Sequence, residues 1–276
     1  MRERIRANSS SIMRIQYKED GLMQAIGWKY VRVIALSLAA IQLTGCNTMP
    51  DRTAMSGGLA LLEAASITDA QMMQKAQAAA QALDQENTLA SANSAYQKRV
   101  NKLAKNLKSV NGVPLDIKVY MKNEINAFAM ADGTIRIYSK LMDSMNDDEL
   151  LFIIGHEMGH VAKGHTAQRM RAALLTQAGR KIVQSTAGGT IAALTASQLG
   201  DLVEKVINAQ FSQANEREAD DFGLLTLKQN GGNPVGAATA LEKLATMSGQ
   251  GSNFVTQMVA THPEPSARAA RIRKAL

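Results

Sequence analysis

An apolar run, Leu150-Leu151-Phe152-Ile153-Ile154, leads after one glycine into His156-Glu157-Met158-Gly159-His160. Three ionisable side chains thus sit in a segment built for burial, where polar groups need partners. Asn146 is a good N-cap, Glu149 stands three residues later as in a capping box, and Asp147 and Asp148 suit the positive end of a helix dipole. The pattern predicts a helix from there to about Lys163, stopped by Gly164. On a helical wheel Leu151, Ile154, Met158, Val161 and Ala162 form one apolar arc, while His156 and His160 fall about 40° apart on another face with Glu157 beside them. Two imidazoles so placed can meet one tetrahedral Zn²⁺, with Glu157 in reach of a water on the metal. The metal would make that water more acidic, and the carboxylate would take its proton during attack on a carbonyl.

A catalytic zinc site usually has three protein ligands, so a third is needed. One known arrangement places a glycine three residues, and a histidine six residues, after the second motif histidine. Lys163 and Thr166 stand at those positions and exclude it. His165 lies past Gly164 and reads as a supporting histidine near the helix C-terminus. A better ligand lies in Asn215-Glu216-Arg217-Glu218-Ala219-Asp220. Glu216 and Asp220 are four apart and share one helix face. Glu216 as ligand would leave Asp220 to accept the outer N–H of a zinc histidine. Glu218 points away and reads as a solvated charge.

The rest of the chain predicts a predominantly helical α+β domain with a small antiparallel sheet beside the zinc helix. Residues 59–107 hold no proline and fit two or three helices with a break near Asn87–Asn93. Val113–Tyr120 and Thr134–Tyr138 alternate as strands do, and Asp132-Gly133 is a turn signal after Asn126-Ala127-Phe128-Ala129. The uncharged stretch 182–200 reads as a flap or helical hairpin. Beyond Val203 several helices are separated at Gly231–Pro234, Gly249–Asn253 and His262–Pro265.

The formal charge of +7 suggests a nucleic-acid partner until its placement is counted. Residues 1–46 hold seven Lys/Arg against three Asp/Glu, leaving 24 against 21 in the remainder, so no nucleic-acid partner is expected. Val33–Leu43 is a short apolar core behind Lys29 and Arg32, too short to span a bilayer, which takes about 20 residues. That is the layout of a secretory signal. It ends in Leu43-Thr44-Gly45-Cys46, which resembles the bacterial lipobox and implies cleavage before Cys46 and acylation of its thiol. Cys46 is the sole cysteine, so a disulfide framework is excluded. The resemblance, with Asn47 rather than Asp after the cysteine, implies a periplasmic protein anchored to the outer membrane. Residues 1–45 are then the signal peptide, with Met23 an alternative start; 46–58 are lipidated cysteine and tether, and 59–276 the enzyme domain.

The motifs together carry a further resemblance. Asn126-Ala127-Phe128-Ala129, HExxH at 156–160, Glu216-Arg217-Glu218-Ala219-Asp220 and Thr261-His262-Pro263, in that order, resemble the HtpX-like gluzincin metallopeptidases. The resemblance implies one zinc per chain on His156, His160 and Glu216, with Glu157 as catalytic base. It also implies endopeptidase action on misfolded or outer-membrane proteins of the envelope, with outer-membrane assembly machinery as a possible partner. His262 has three open readings: donor to a developing oxyanion, a latch that takes the water's place on zinc, or a loop histidine packed beside Pro263. Thr134, Ile135, Arg136, Ile137 and Tyr138, with Asn126 nearby, are expected to bind an extended substrate if that strand lies at the sheet edge. The rival reading is a chaperone-like lipoprotein whose zinc site is largely latched.

Overall fold

The alternating strand and helix signals resolve in a computed structural model that describes residues 62, 65–183, 196–249 and 256–276. The signal segment, Cys46 and its tether lie outside the described residues, as does most of 182–200. In chain order the elements are α1 (Asp69–Glu86), α2 (Ala95–Leu103), β1 (Ser109–Val110), β2 (Val113–Pro114), β3 (Asp116–Tyr120), β4 (Ala127–Ala129), β5 (Thr134–Tyr138), α3 (Ser139–Ser144), α4 (Asp147–Ala162), α5 (His165–Val183), α6 (Ala196–Ile207), α7 (Gln213–Gln229), α8 (Val235–Gly249), α9 (Thr256–Thr261) and α10 (Pro265–Lys274). The fold is α+β and mostly helical. No helix among the described residues is long and apolar enough to cross a membrane.

The three-stranded sheet has the order β3-β5-β4. β4 runs antiparallel to β5, pairing Ala127 with Ile137 and Ala129 with Ile135, but β3 runs parallel to β5 in the register Asp116–Thr134 to Tyr120–Tyr138. The sheet is therefore mixed rather than antiparallel. The chain passes from β3 to the far edge, lays down β4, then turns at Gly133 and slots β5 between them. Gly133 has φ 86°, and a β-carbon there would stand 2.0 Å from the Pro114 carbonyl oxygen, so this turn requires glycine. A separate ribbon, β1–β2, turns through Asn111 and Gly112, both at positive φ.

This topology corrects the reading of Thr134–Tyr138 as a substrate-pairing edge. β5 is the central strand, bonded on both sides, and all five of its residues are buried. Ile135 and Ile137 face the core shared with α4, α7 and α8. Tyr138, with Tyr120 and Phe128, faces a second core formed with α1, α5 and α6. Arg136 also faces α1, where its guanidinium meets Asp84 Oδ1 and Oδ2 at 2.8 Å each and Asp116 Oδ2 at 2.8 Å. It ties the sheet to α1. The edge strands are β3 and β4, of which β4 is buried throughout.

α4 begins as its sequence dictates: Asn146 Oδ1 accepts the Glu149 N–H and Glu149 Oε2 accepts the Asn146 N–H. Lys243 Nζ then meets the same Glu149 oxygen at 2.6 Å, joining α8 to this N-terminus. The helix ends at Ala162, with Gly164 at φ 69°. Every residue from Glu149 to Val161 is buried, the polar ones included. The face bearing the histidines is covered chiefly by α7. Small residues allow it: a β-carbon on Gly155 would lie 2.8 Å from Thr226 Cβ, and one on Gly223 would lie 3.0 Å from the His156 backbone nitrogen.

Candidate active site

Close packing of α4 on α7 brings His156, His160 and Glu216 to one point. His156 Nε2 and His160 Nε2 are 3.1 Å apart, and Glu216 lies 3.6 Å from the first through Oε2 and 3.4 Å from the second through Oε1. The loop after α9 adds His262, whose Nδ1 is 3.3 Å from His156 Nε2 and 3.0 Å from Glu216 Oε1. Ligands about 2.0–2.1 Å from a tetrahedral zinc lie roughly 3.3–3.4 Å from each other. The four donors all lie within 4.8 Å of one another, close to that spacing, and three imidazoles with one carboxylate are a donor set that suits zinc.

Each histidine of α4 also has a partner on its outer nitrogen. His156 Nδ1 lies 3.1 Å from Asp220 Oδ1, so an N–H there donates to the carboxylate and leaves Nε2 its lone pair. Arg268 of α10 holds that carboxylate, with Nη2 2.6 Å from Oδ1 and Nε 3.0 Å from Oδ2, and its Nη1 stands 2.5 Å from Glu216 Oε2. His160 Nδ1 lies 3.1 Å from His165 Nδ1, and His165 Nε2 lies 3.3 Å from Glu218 Oε2. A donor chain from His160 through His165 to Glu218 follows, again freeing Nε2 of His160. Glu218, read as a solvated charge, is half exposed but ends this chain.

The electrostatics favour deprotonated Glu216 and His160, as metal ligands require, whereas Glu216 and Glu157 raise His262 against its burial. Burial alone would push Glu216 up, but the facing His262, His160 and His156 hold it far below the ordinary carboxylate range. Burial opposes ionisation of Asp220 too, yet its bonds to Arg268 and His156 bring it down to about 2. Burial drives His160 well below its usual value, keeping it neutral.

Glu157 lies on the open side of this cluster, 1% exposed, with Oε1 3.7 Å from His262 Nε2. It looks into an apolar cleft whose walls include Phe128 and Ala129 of β4 and Phe211 before α7. Phe211 stacks on His160 with ring centroids 3.7 Å apart and planes 18° apart, fixing that imidazole's face. The structure therefore assembles His156, Glu157, His160, Glu216, Asp220 and His262, all singled out in the sequence, and leaves Thr134–Tyr138 one strand away. Asn126 is buried at the start of β4. Arg268 and Phe211 were not legible, because no motif marks them.

Two helices carrying HExxH and a downstream glutamate, with a sheet edge along the cleft, define an HExxH metallopeptidase of the glutamate-ligand class. A family model described as Peptidase family M48 matches residues 90–276. The chain belongs to that family and is a metalloendopeptidase. It is 45% identical to the metalloprotease LoiP of Escherichia coli (strain K12) over 242 residues, covering 87% of this chain and 94% of that protein. It is 40% identical to the metalloprotease YcaL of the same strain over 245 residues, 87% of this chain and 95% of that one. The beta-barrel assembly-enhancing protease of that strain is 32% identical over 186 residues, 63% of this chain but 37% of its own length.

Proposed function

We propose that this metallopeptidase uses one zinc ion per chain, held by His156, His160 and Glu216, to hydrolyse internal peptide bonds of misfolded or outer-membrane proteins in the bacterial envelope. The observation that carries the site reading is the convergence of those three donors within 3.1–3.6 Å, beside Glu157. Bound zinc supplies a Lewis acid that polarises the scissile carbonyl. Glu157 takes the proton of the attacking water and passes it to the leaving amine. The edge of β4 offers backbone groups for pairing an extended substrate, the role first read into residues 134–138. Asp220, held by Arg268, keeps His156 in the tautomer that presents Nε2.

His262 fits the latch reading best. Its Nδ1 lies close to His156 and Glu216, where it would compete with the attacking water for the metal. That observation also favours the second reading, a lipoprotein that assists membrane-protein assembly while its site stays largely closed. The envelope placement rests on the lipobox at Cys46 and on the kinship with a protein named for β-barrel assembly. Palmitate labelling tests the anchor: incorporation lost in Cys46→Ser supports it, and equal labelling of both forms contradicts it. The substrate class is tested by offering denatured and folded outer-membrane β-barrel protein alongside casein. Cleavage of the denatured barrel supports the assignment, whereas cleavage of casein alone contradicts it.

A further inference from the structure

Arg169 lies one turn after His165 on α5 and reaches into the cleft beside Glu157. Its guanidinium carbon is 3.6 Å from the centroid of Phe211, whose ring also stacks on His160. Two contacts that close cannot share a face, so Phe211 is sandwiched between guanidinium and imidazole. The arginine is thereby fixed in direction relative to the catalytic histidines. Yet its Nε and Nη2 are buried without a hydrogen-bond partner, and no ion pair reaches it among the described residues. Arg268, by contrast, is bound to the Asp220 carboxylate. Burial lowers Arg169 to about 10, with Glu157 and Glu216 opposing, so it stays charged at neutral pH.

A desolvated cation with unused donors costs stability unless a ligand completes it. Glu157, whose Oε1 is likewise unpaired, and Thr166 share the cleft without bonding the guanidinium, and the remaining walls, Met130, Met170, Val206 and Phe211, are apolar. A planar fork of N–H donors matches a carboxylate in two-point contact, and the fixed stacking on Phe211 preserves that geometry. We infer that Arg169 is a specificity-determining residue that receives an acidic side chain of the substrate beside the scissile bond. This rests on the endopeptidase reading above. A charged hydrogen-bonded pair in a dry cleft should favour such a substrate roughly tenfold or more.

The test digests denatured casein with the zinc-loaded full-length protein and maps the cut sites by mass spectrometry, with Glu157→Gln as blank. Asp and Glu should be enriched about tenfold at one fixed position relative to the cut. Arg169→Met should abolish the enrichment, and Arg169→Glu should replace it with Lys and Arg, a swap that a merely structural role would not produce. A matched peptide pair differing by Glu or Gln at that position should show the same ratio in kcat/KM for the wild type, which holds even if a variant folds poorly. Cuts without acidic enrichment overturn the inference, as does a uniform loss at all sites in Arg169→Met, which would assign Arg169 to the peptide backbone. If neither the zinc-loaded wild type nor His262→Ala cuts, the endopeptidase reading itself is overturned.

Discussion

Gly159 faces Ala219 so closely across the α4–α7 contact that a β-carbon on the glycine would stand 2.9 Å from the Ala219 α-carbon. The approach sets the reach of His160 to Glu216, since neither side chain can lengthen. Gly159→Val should force the helices apart, costing roughly 1–3 kcal/mol by overpacking. Urea midpoint and zinc content measured together check it, and both should fall. An unchanged zinc content would mean that the helix spacing does not set the site.

Asp220 is anchored twice by Arg268 and once by His156. Asp220→Asn keeps the shape but removes the charge that fixes the His156 tautomer, and should weaken zinc binding about 10–100-fold. Competition with a chelating dye measures it. Equal affinity would leave Asp220 a purely structural partner of Arg268.

His262→Ala should raise casein cleavage by the zinc-loaded protein, because the variant removes the side chain that would compete with the water for the metal. Loss of activity would instead assign His262 to the developing oxyanion, and no change would reduce it to loop packing.

Asp84 joins α1 to the central strand through Arg136. Burial works against its ionisation, but bonds to Arg136 and Tyr120 leave its carboxyl below the ordinary value of 3.8. The pair therefore stabilises the fold above about pH 4 and loses that contribution as pH falls through the lowered range. Asp84→Asn should cost on the order of 1–3 kcal/mol at pH 6. The gap in urea midpoint between variant and wild type should narrow below pH 3. A gap constant with pH would show that the ion pair is not its source.

Much of this was legible in the sequence where the signal is local. The capping box of Asn146 and Glu149, the stop at Gly164 and the shared face of Glu216 and Asp220 all follow from residues within one or two turns. Sheet neighbours are not local: alternation in Thr134–Tyr138 reports two faces but not which strands flank it, so a buried central strand passed for an edge. Arg136 hid the burial of one face, because its partner Asp84 lies 52 residues away. A separation of 48 residues likewise concealed Arg268, which reaches His156's carboxylate partner from a helix whose composition reads as surface. Gly155, Gly159 and Gly223 carry no motif signal for helix packing and are the contact itself.

The central claim is that His156, His160 and Glu216 hold one zinc ion and that Glu157 acts beside it. Zinc content and casein cleavage, measured on the purified protein and on Glu157→Gln with and without a chelator, test it most directly. The account predicts one zinc per chain in both proteins, with chelator-sensitive cleavage by the wild type alone. A wild-type protein without zinc, or a Glu157→Gln variant that cleaves as fast, would contradict it.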